Sequence, residues 1–477
     1  NYTHKYFVDG SPFTGDVDVS GRLNTTSTLP TWRTVLISGM GAGGKGYFGL
    51  DVTNPATWTS PGAGTTTQVL FDRTMPVNAT GTTTTEDEIN DIGHIFSQPV
   101  VDPVSGSRSE QIVKLNNGRW AVVMGNGYNS HNERPVLLIQ YLDGDRSLRR
   151  IVASSTTNAS NGLSAPRLVD VNDDGRVDMA YAGDLQGNLW KFNLSSASPS
   201  SWSVSFSGNP LYVASDSATN RQPITTAPMW MSHPLGGVQV LFGTGINVTE
   251  SHQANSQTQT VYSVWDKSTY SLGTSTVAMT DVQRITSGRS ALVAQTVVNA
   301  VTKTLADTST VDTDYFNTTE NNVTYSKTDT TAKRGWFFDL PLSRERVLVN
   351  PMMWEGQKVV IASQVPKLGT TGETCDFSQT LEDNWINVFN MITGKPSVVP
   401  AFSTTDTTMN LKKATRTRFG SGDLIALRKA DGSTELVSPK PDDPDAPCEE
   451  GKFCAEREKL TTGTGVGERS EWREVQY

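Results

Sequence analysis

Nine consecutive residues, Asp170-Val171-Asn172-Asp173-Asp174-Gly175-Arg176-Val177-Asp178, place oxygen-bearing side chains at loop positions 1, 3, 5 and 9 and a glycine at position 6. A hard divalent cation such as Ca²⁺ takes six to eight oxygens at about 2.3–2.6 Å, and a tight loop with this alternation can wrap them round one ion. Asp170, Asn172, Asp174 and Asp178 would supply side-chain oxygens, and Arg176 its backbone carbonyl. Gly175 supplies the positive φ that turns the loop back on itself. Mg²⁺ suits the pattern less well, because it dehydrates reluctantly and keeps water in an octahedral shell.

The flanks decide what kind of loop this is. Position 12 is Tyr181, so the bidentate glutamate of a helix–loop–helix calcium site is missing. Pro166-Arg167-Leu168-Val169 and Val177 through Tyr181 have the short apolar pattern of strands, not of amphipathic helices. The sequence therefore predicts a calcium loop held between β-strands. An ordinary Asp/Asn/Gly turn is the plainer alternative.

Further elements repeat along the chain. Each unit opens on a proline (Pro30, Pro99, Pro166, Pro228, Pro351). An apolar strand follows and ends in a small residue, as in Val122-Val123-Met124-Gly125, Ala180-Tyr181-Ala182-Gly183, Val240-Leu241-Phe242-Gly243 and Val35-Leu36-Ile37-Ser38-Gly39. Next comes a strand rich in aromatics that closes near Asp or Asn: Tyr47 to Asp51, Leu189 to Asn193, Val261 to Asp266, Trp385 to Asn390. The first four prolines recur at roughly 65 residues, which points to propeller blades with long loops. A pair of β-sandwiches would not predict such even spacing. Proline at a strand's start costs no ladder donor, and glycine at the inner strand's end is expected to let the chain turn sharply near a crowded axis. Ser60–Glu88 and Thr302–Thr331 are rich in Thr, Ser and Asp and predict long loops or mobile insertions. The stretch from Pro439 to Tyr477 predicts a loosely packed arm, so the whole of 1–477 is expected to be one propeller domain.

Composition removes several functions. The 477 residues carry 40 Lys and Arg against 49 Asp and Glu, a net charge of −9, which argues against a nucleic-acid partner. No apolar run approaches the roughly 20 residues of a membrane-spanning helix, and no signal peptide is visible at Asn1, as expected of a mature or excised fragment. The five histidines are scattered, and no Cys/His cluster has zinc spacing. Gly39-Met40-Gly41-Ala42-Gly43-Gly44-Lys45 matches a phosphate-loop pattern, but Gly46 and a strand follow where Ser or Thr and a helix are needed. It predicts a glycine-rich hairpin. No nucleophile elbow and no Ser/His/Asp grouping stands out, so no enzyme is expected. Cys375, Cys448 and Cys454 are the three cysteines. A local bridge between the last two fits an oxidising compartment, with a bridge from Cys375 as the alternative and three free thiols as the plain reading.

With loop and repeat in hand, several segments resemble the C-terminal domain of the PilY family, the tip-associated adhesins and assembly factors of bacterial type IV pili. They are Tyr6-Phe7-Val8-Asp9-Gly10-Ser11-Pro12, Met40 through Thr53, Pro166 through Asn193, Leu241 through Gly245, Arg334 through Pro341 and Ser470 through Glu474. The resemblance implies an all-β, distorted seven-bladed β-propeller akin to quinoprotein propellers, with Asp170–Asp178 as its Ca²⁺ site. It implies roles in pilus assembly, twitching motility, calcium-dependent control of retraction, and attachment to host cells or abiotic surfaces. The partners it implies are minor pilins and the pilus machinery. The location it implies is the pilus or cell surface, outer-membrane-associated or reached by secretion through the periplasm. The family's N-terminal region similar to von Willebrand factor A is not in this sequence. No Arg-Gly-Asp triplet is present, so integrin binding through that motif has no support.

Two other classes share parts of the pattern. A quinoprotein dehydrogenase would share propeller and calcium, but it often carries adjacent paired cysteines, which this chain lacks. An integrin-α-like adhesion propeller repeats its D-x-N-x-D-G loop in several blades, and here the loop occurs once.

Overall fold

The computed structural model describes residues 7–20, 29–58, 68–74, 88–101, 109–272, 277–366, 383–404, 406–419, 425–428, 434–439 and 455–460. The three cysteines and the segment Ser470 through Glu474 lie outside them. The described chain is all-β, with helix confined to short turns such as Glu250–Ala254, and no helix among the described residues is long and apolar enough to cross a membrane. It divides into two compact units. The first comprises Asn1–Ser215, Thr219–Val238 and Asp266–Gly288, and the second comprises Asp216–Ala218, Gln239–Trp265 and Arg289–Tyr477.

The first unit holds three sheets built on the predicted repeat. In the first, Phe13–Asp18, Trp32–Gly39, Tyr47–Asp51 and Val69–Asp72 lie side by side in chain order, all antiparallel. The second orders Ile112–Leu115, Trp120–Gly125, Val136–Tyr141 and Leu148–Val152 in the same way. The third sets Arg167–Val169, Met179–Gly183 and Asn188–Asn193 side by side. Strict alternation buries both faces of the middle sheet. Ala121, Val123, Leu137 and Ile139 join a core with Ala180, Ala182, Trp190 and Phe192 of the third sheet. Val122, Met124, Val136 and Leu138 join another with Val35, Ile37 and Tyr47 of the first. Each large side chain so buried contributes about 1.5–3 kcal/mol.

Glycine ends the second strand of these sheets for a reason other than the sharp turn the sequence predicts. Gly39, Gly125 and Gly183 are not among the residues with positive φ. A Cβ at Gly125 would overlap the carbonyl oxygens of Leu163 and Ser164, one at Gly183 would overlap Ile224, and one at Gly39 would crowd Ile95 at 3.0 Å. The segment leading into the next sheet lies directly over the glycine.

The second unit repeats the device, since a Cβ at Gly243 would overlap Val347. In it the strand Thr260–Asp266, whose last residue falls to the first unit, pairs antiparallel with Gly335–Asp339, which pairs parallel with Val293–Gln295. A six-stranded sheet follows, in the order Val297–Thr304, Thr310–Thr318, Ala414–Arg418, Asp383–Asn390, Lys358–Val365 and Met352–Trp354. The first half of the expected insertion at 302–331 is therefore a hairpin of this sheet, with Val301 and Tyr315 packed on its core. Its Thr-rich pattern alternates, which suits a half-exposed strand as well as a loop. Likewise Val69–Asp72 is a strand inside the expected loop 60–88, and Ala455–Leu460 pairs with Thr434–Pro439 inside the expected arm. The described residues hold five sheets of four or more strands, one of three and one of two, so five of the seven expected blades have four or more strands among them. Gly41–Gly43 forms a single 3₁₀ turn between two strands, as the hairpin expectation requires.

A buried ion group lies on the outer face of the third sheet. Lys191 stands opposite Tyr181 in the register and is wholly buried. Its Nζ lies 2.9 Å from Asp266 and 3.1 Å from Asp281, and Tyr181 donates to Asp266 at 2.7 Å. Burial works to raise the Asp266 pKa, but Lys191 together with the hydrogen bonds from Ser268 and Tyr181 outweighs it and holds the carboxyl below its ordinary value. Removing one partner of such a pair strands the other charge. Lys191→Ala should cost about 3–5 kcal/mol in urea unfolding, and a loss under about 1 kcal/mol would contradict this account.

His233 closes the turn after Met229–Ser232, accepting from the Leu235 amide at 3.1 Å through Nδ1. Burial pushes its pKa down to about 4. Between the ordinary value near 6.5 and that figure, the unfolded chain takes up a proton that the folded chain refuses, so stability falls as pH falls. We expect a loss of at most about 3 kcal/mol between pH 6.5 and 4 that His233→Asn removes, measured by denaturation across that range.

Candidate metal centre

The loop 170–178 sits where the chain passes from one sheet to another. Arg167–Val169 belongs to the third sheet, Arg176–Val177 adds in parallel to Ile112–Leu115 of the second, and Met179–Gly183 returns to the third. The strands predicted on either side of the loop are thus present, and the exit strand is split at Asp178. Val177 is held in the core between the two sheets. Asp178 is fully buried at the crossing, where its amide donates to Val169 O at 2.9 Å and its carbonyl accepts from Leu194 at 2.8 Å.

Inside the loop the side chains brace the backbone. Asp170 accepts from the Gly175 amide at 2.8 Å and from Asn172 at 3.3 Å. Asp174 accepts from the Arg176 amide at 2.9 Å. Asp178 accepts from the Val171 amide at 2.9 Å and from Asn116 Nδ2 at 3.1 Å. Asp173 and Gly175 carry φ of 57° and 79°. A Cβ at Gly175 would meet nothing within 4 Å, so its backbone conformation, not space, selects glycine there.

Whether these residues fit a cation is a question of unsatisfied charge. Asn172 Oδ1 is buried without a hydrogen-bond partner, whereas Asp170, Asp174 and Asp178 each accept from a backbone amide. Asp178 is pushed up to about 6, first by burial and then by the charges of Asp170 and Asp174, against the opposing bonds from Val171 and Asn116. Asp170 is also raised, first by burial, with Asp174 adding to it. A cation in the loop would relieve that repulsion and give Asn172 Oδ1 a partner. Among the described residues no three His, Cys, Asp or Glu groups converge into a ready-made cage, so closure round an ion requires carboxylates to exchange amide partners for metal. Asp170, Asn172, Asp174 and Asp178, with the Arg176 carbonyl, are a donor set suited to calcium.

Sequence reasoning passed over Asn116. Its Nδ2 donates to Val177 O at 2.9 Å, to Asp178 Oδ1 and to Leu194 O at 3.2 Å, clamping the exit of the loop. The only signal was the turn Asn116-Asn117-Gly118, which promises a hairpin and nothing more. Arg176 does turn its side chain from the loop, donating to Asn116 O at 3.4 Å.

A repeated four-stranded β-meander, with an acidic crossover between two of its sheets, defines a domain of the propeller type. The model of the PilY1 beta-propeller domain matches residues 1–310, and the chain belongs to the PilY1 family. It is 34% identical over 386 residues to the type IV pilus biogenesis factor PilY1 of Pseudomonas aeruginosa, covering 76% of this chain and 29% of that protein. It is 31% identical over 412 residues to a PilY1 homolog of Xylella fastidiosa, covering 82% of this chain and 23% of that protein. The chain thus spans about a quarter of the length of these relatives. The crystal structure of the Pseudomonas aeruginosa PilY1 C-terminal domain superposes with a TM-score of 0.67 at 29% identity, over 96% of this chain and 84% of the other. These relatives are named as biogenesis factors, not as enzymes.

Asp174 is exposed and Asp178 buried, which separates two kinds of variant. Asp174→Ala should weaken calcium binding at least tenfold while leaving the thermal midpoint of the metal-free protein nearly unchanged. Asp178→Lys should unfold the crossover, because two N–H donors face that side chain. Calorimetric titration and thermal melts of both variants check this, and undiminished binding in Asp174→Ala would remove the loop from consideration.

Proposed function

We propose that this chain is a non-enzymatic, calcium-binding part of a type IV pilus biogenesis factor, and that Ca²⁺ occupancy of the 170–178 loop regulates what it does at the pilus. The observation that carries the reading is the buried, partnerless Asn172 Oδ1 among the three candidate ligand carboxylates, Asp170, Asp174 and Asp178, of one short loop. The three ligand carboxylates carry −3 without an ion and −1 with Ca²⁺ between them, and the charges of Asp173 and Arg176 cancel. A change of two units alters the potential at short range, where screening over about 8–10 Å has not yet erased it. Family membership and the naming of relatives as pilus biogenesis factors support the setting.

On this reading the partners are minor pilins and other parts of the pilus machinery, and the place of action is the pilus or cell surface, reached through the periplasm. Calcium loading biases a partner that resists or permits retraction, and with it twitching and attachment to cells or surfaces. A single sensor-like site would bind at about 10⁻⁷–10⁻⁵ M.

The test uses bacteria whose own copy carries Asp174→Ala. We expect folded, normally abundant protein with altered surface piliation and twitching that no longer responds to calcium chelation. If piliation and twitching stay normal and still respond to calcium, the regulatory role fails and any bound ion is structural.

A further inference from the structure

In the first unit, a cavity of about 630 Å³ opens beside the outer strand Leu148–Val152 of the second sheet. Four arginines line it, Arg119, Arg134, Arg149 and Arg150, together with Tyr141 and the single carboxylate Glu88. Three of the four are fixed in place. Arg119 donates to Asp143 at 2.7 Å and to Asp145 at 2.8 Å, and its guanidinium stacks 3.7 Å from the centre of the Tyr141 ring. Arg134 grips Asp91 with two bonds of 2.7 and 2.9 Å, and Arg150 is paired with the same buried carboxylate.

Arg149 is different. Its Nε is buried and has no hydrogen-bond partner, and its guanidinium lies 5.7 Å from the centre of the Trp202 ring. No ion pair holds Arg149 among the described residues, so the terminal N–H groups of its guanidinium, rather than the enclosed Nε, are the donors left for a ligand in the cavity. Guanidinium is a planar fork that matches carboxylate and phosphate oxygens two at a time. The neighbouring arginines are already oriented by Asp91, Asp143 and Asp145, so little ordering is left to oppose binding.

We propose that this cavity binds a small oxyanion, a carboxylate or phosphate group, and that Arg149 is its anchor. The wall is mostly polar, with only Leu148, Val152 and Pro199 as aliphatic members, which suits a compact charged ligand better than an apolar one. Glu88 opposes anions, so the site should discriminate by how well a ligand engages the arginine fork rather than by charge alone. The inference does not depend on calcium in the 170–178 loop.

The test is calorimetric titration of the intact chain with inorganic phosphate and, separately, with citrate, in EDTA and at constant ionic strength. We expect saturable binding of at least one of them. Arg149→Gln should weaken it at least tenfold, and Arg149→Lys should weaken it less, because it keeps the charge but not the fork. Asp174→Ala should bind the anion as the wild type does, which separates failure here from failure of the calcium loop. Binding of phosphate but not citrate identifies a phosphate site, and the reverse a carboxylate site. No saturable binding of either anion by the wild type would overturn the proposal. So would equal affinity in wild type and Arg149→Gln, or in wild type and Arg149→Lys should the glutamine variant fail to fold.

Discussion

The close passage of one segment over the bare end of another strand is the constraint on which the architecture rests. At Gly39, Gly125, Gly183 and Gly243 the following segment occupies the space where a side chain would begin. A packed interior has no slack to absorb even one methyl group at such points, and overpacking costs about 1–3 kcal/mol where backbone must move. Because the chain can pass so near, the middle sheet of the first unit is covered on both faces. Its alternating residues then serve two separate cores.

The acidic loop depends on that arrangement. Its entry strand belongs to one sheet and its exit pair to the neighbouring one, with Asp178 at the crossing. A turn anchored in two sheets cannot relax by sliding along either. Its carboxylates are therefore kept near one another despite their repulsion, and Asn172 Oδ1 is kept from solvent. Strain of this electrostatic kind is what a bound cation would relieve. The backbone amides of Val171, Gly175 and Arg176 donate to these carboxylates and offset part of the repulsion.

Asn116 and Asn117 connect this loop to the arginine-lined cavity. Asn116 clamps Asp178, and Asn117 donates to the Tyr141 hydroxyl at 2.9 Å in the cavity wall. The two features thus share one hairpin turn of the second sheet, although their ligand chemistries are opposite in sign. The buried Lys191 group lies on the other side of the same loop's exit strand, since Tyr181 is its third residue. The crossover is bounded by fixed polar networks on both flanks.

Patterns local to one strand or one turn were legible in the sequence. Alternation, the terminal glycines and the aromatic strands marked neighbouring strands such as Met179–Gly183 and Asn188–Asn193. The spacing of Asp170, Asn172, Asp174, Gly175 and Asp178 marked the loop. Threonine-rich strands such as Thr310–Thr318 were missed because their exposed faces carry the same residues as loops do. Which partner a buried polar group finds was decided only by the tertiary structure. Lys191 reads as the polar member of an alternating strand, and only the return of the chain at Asp266 and Asp281 makes it a buried cation. Arg149 reads as one of two adjacent arginines, and only the closing of neighbouring strands leaves its Nε without a partner. The physical reason is range: backbone geometry and side-chain periodicity act between residues a few positions apart, whereas desolvation and charge pairing depend on segments that meet only once the sheets have packed.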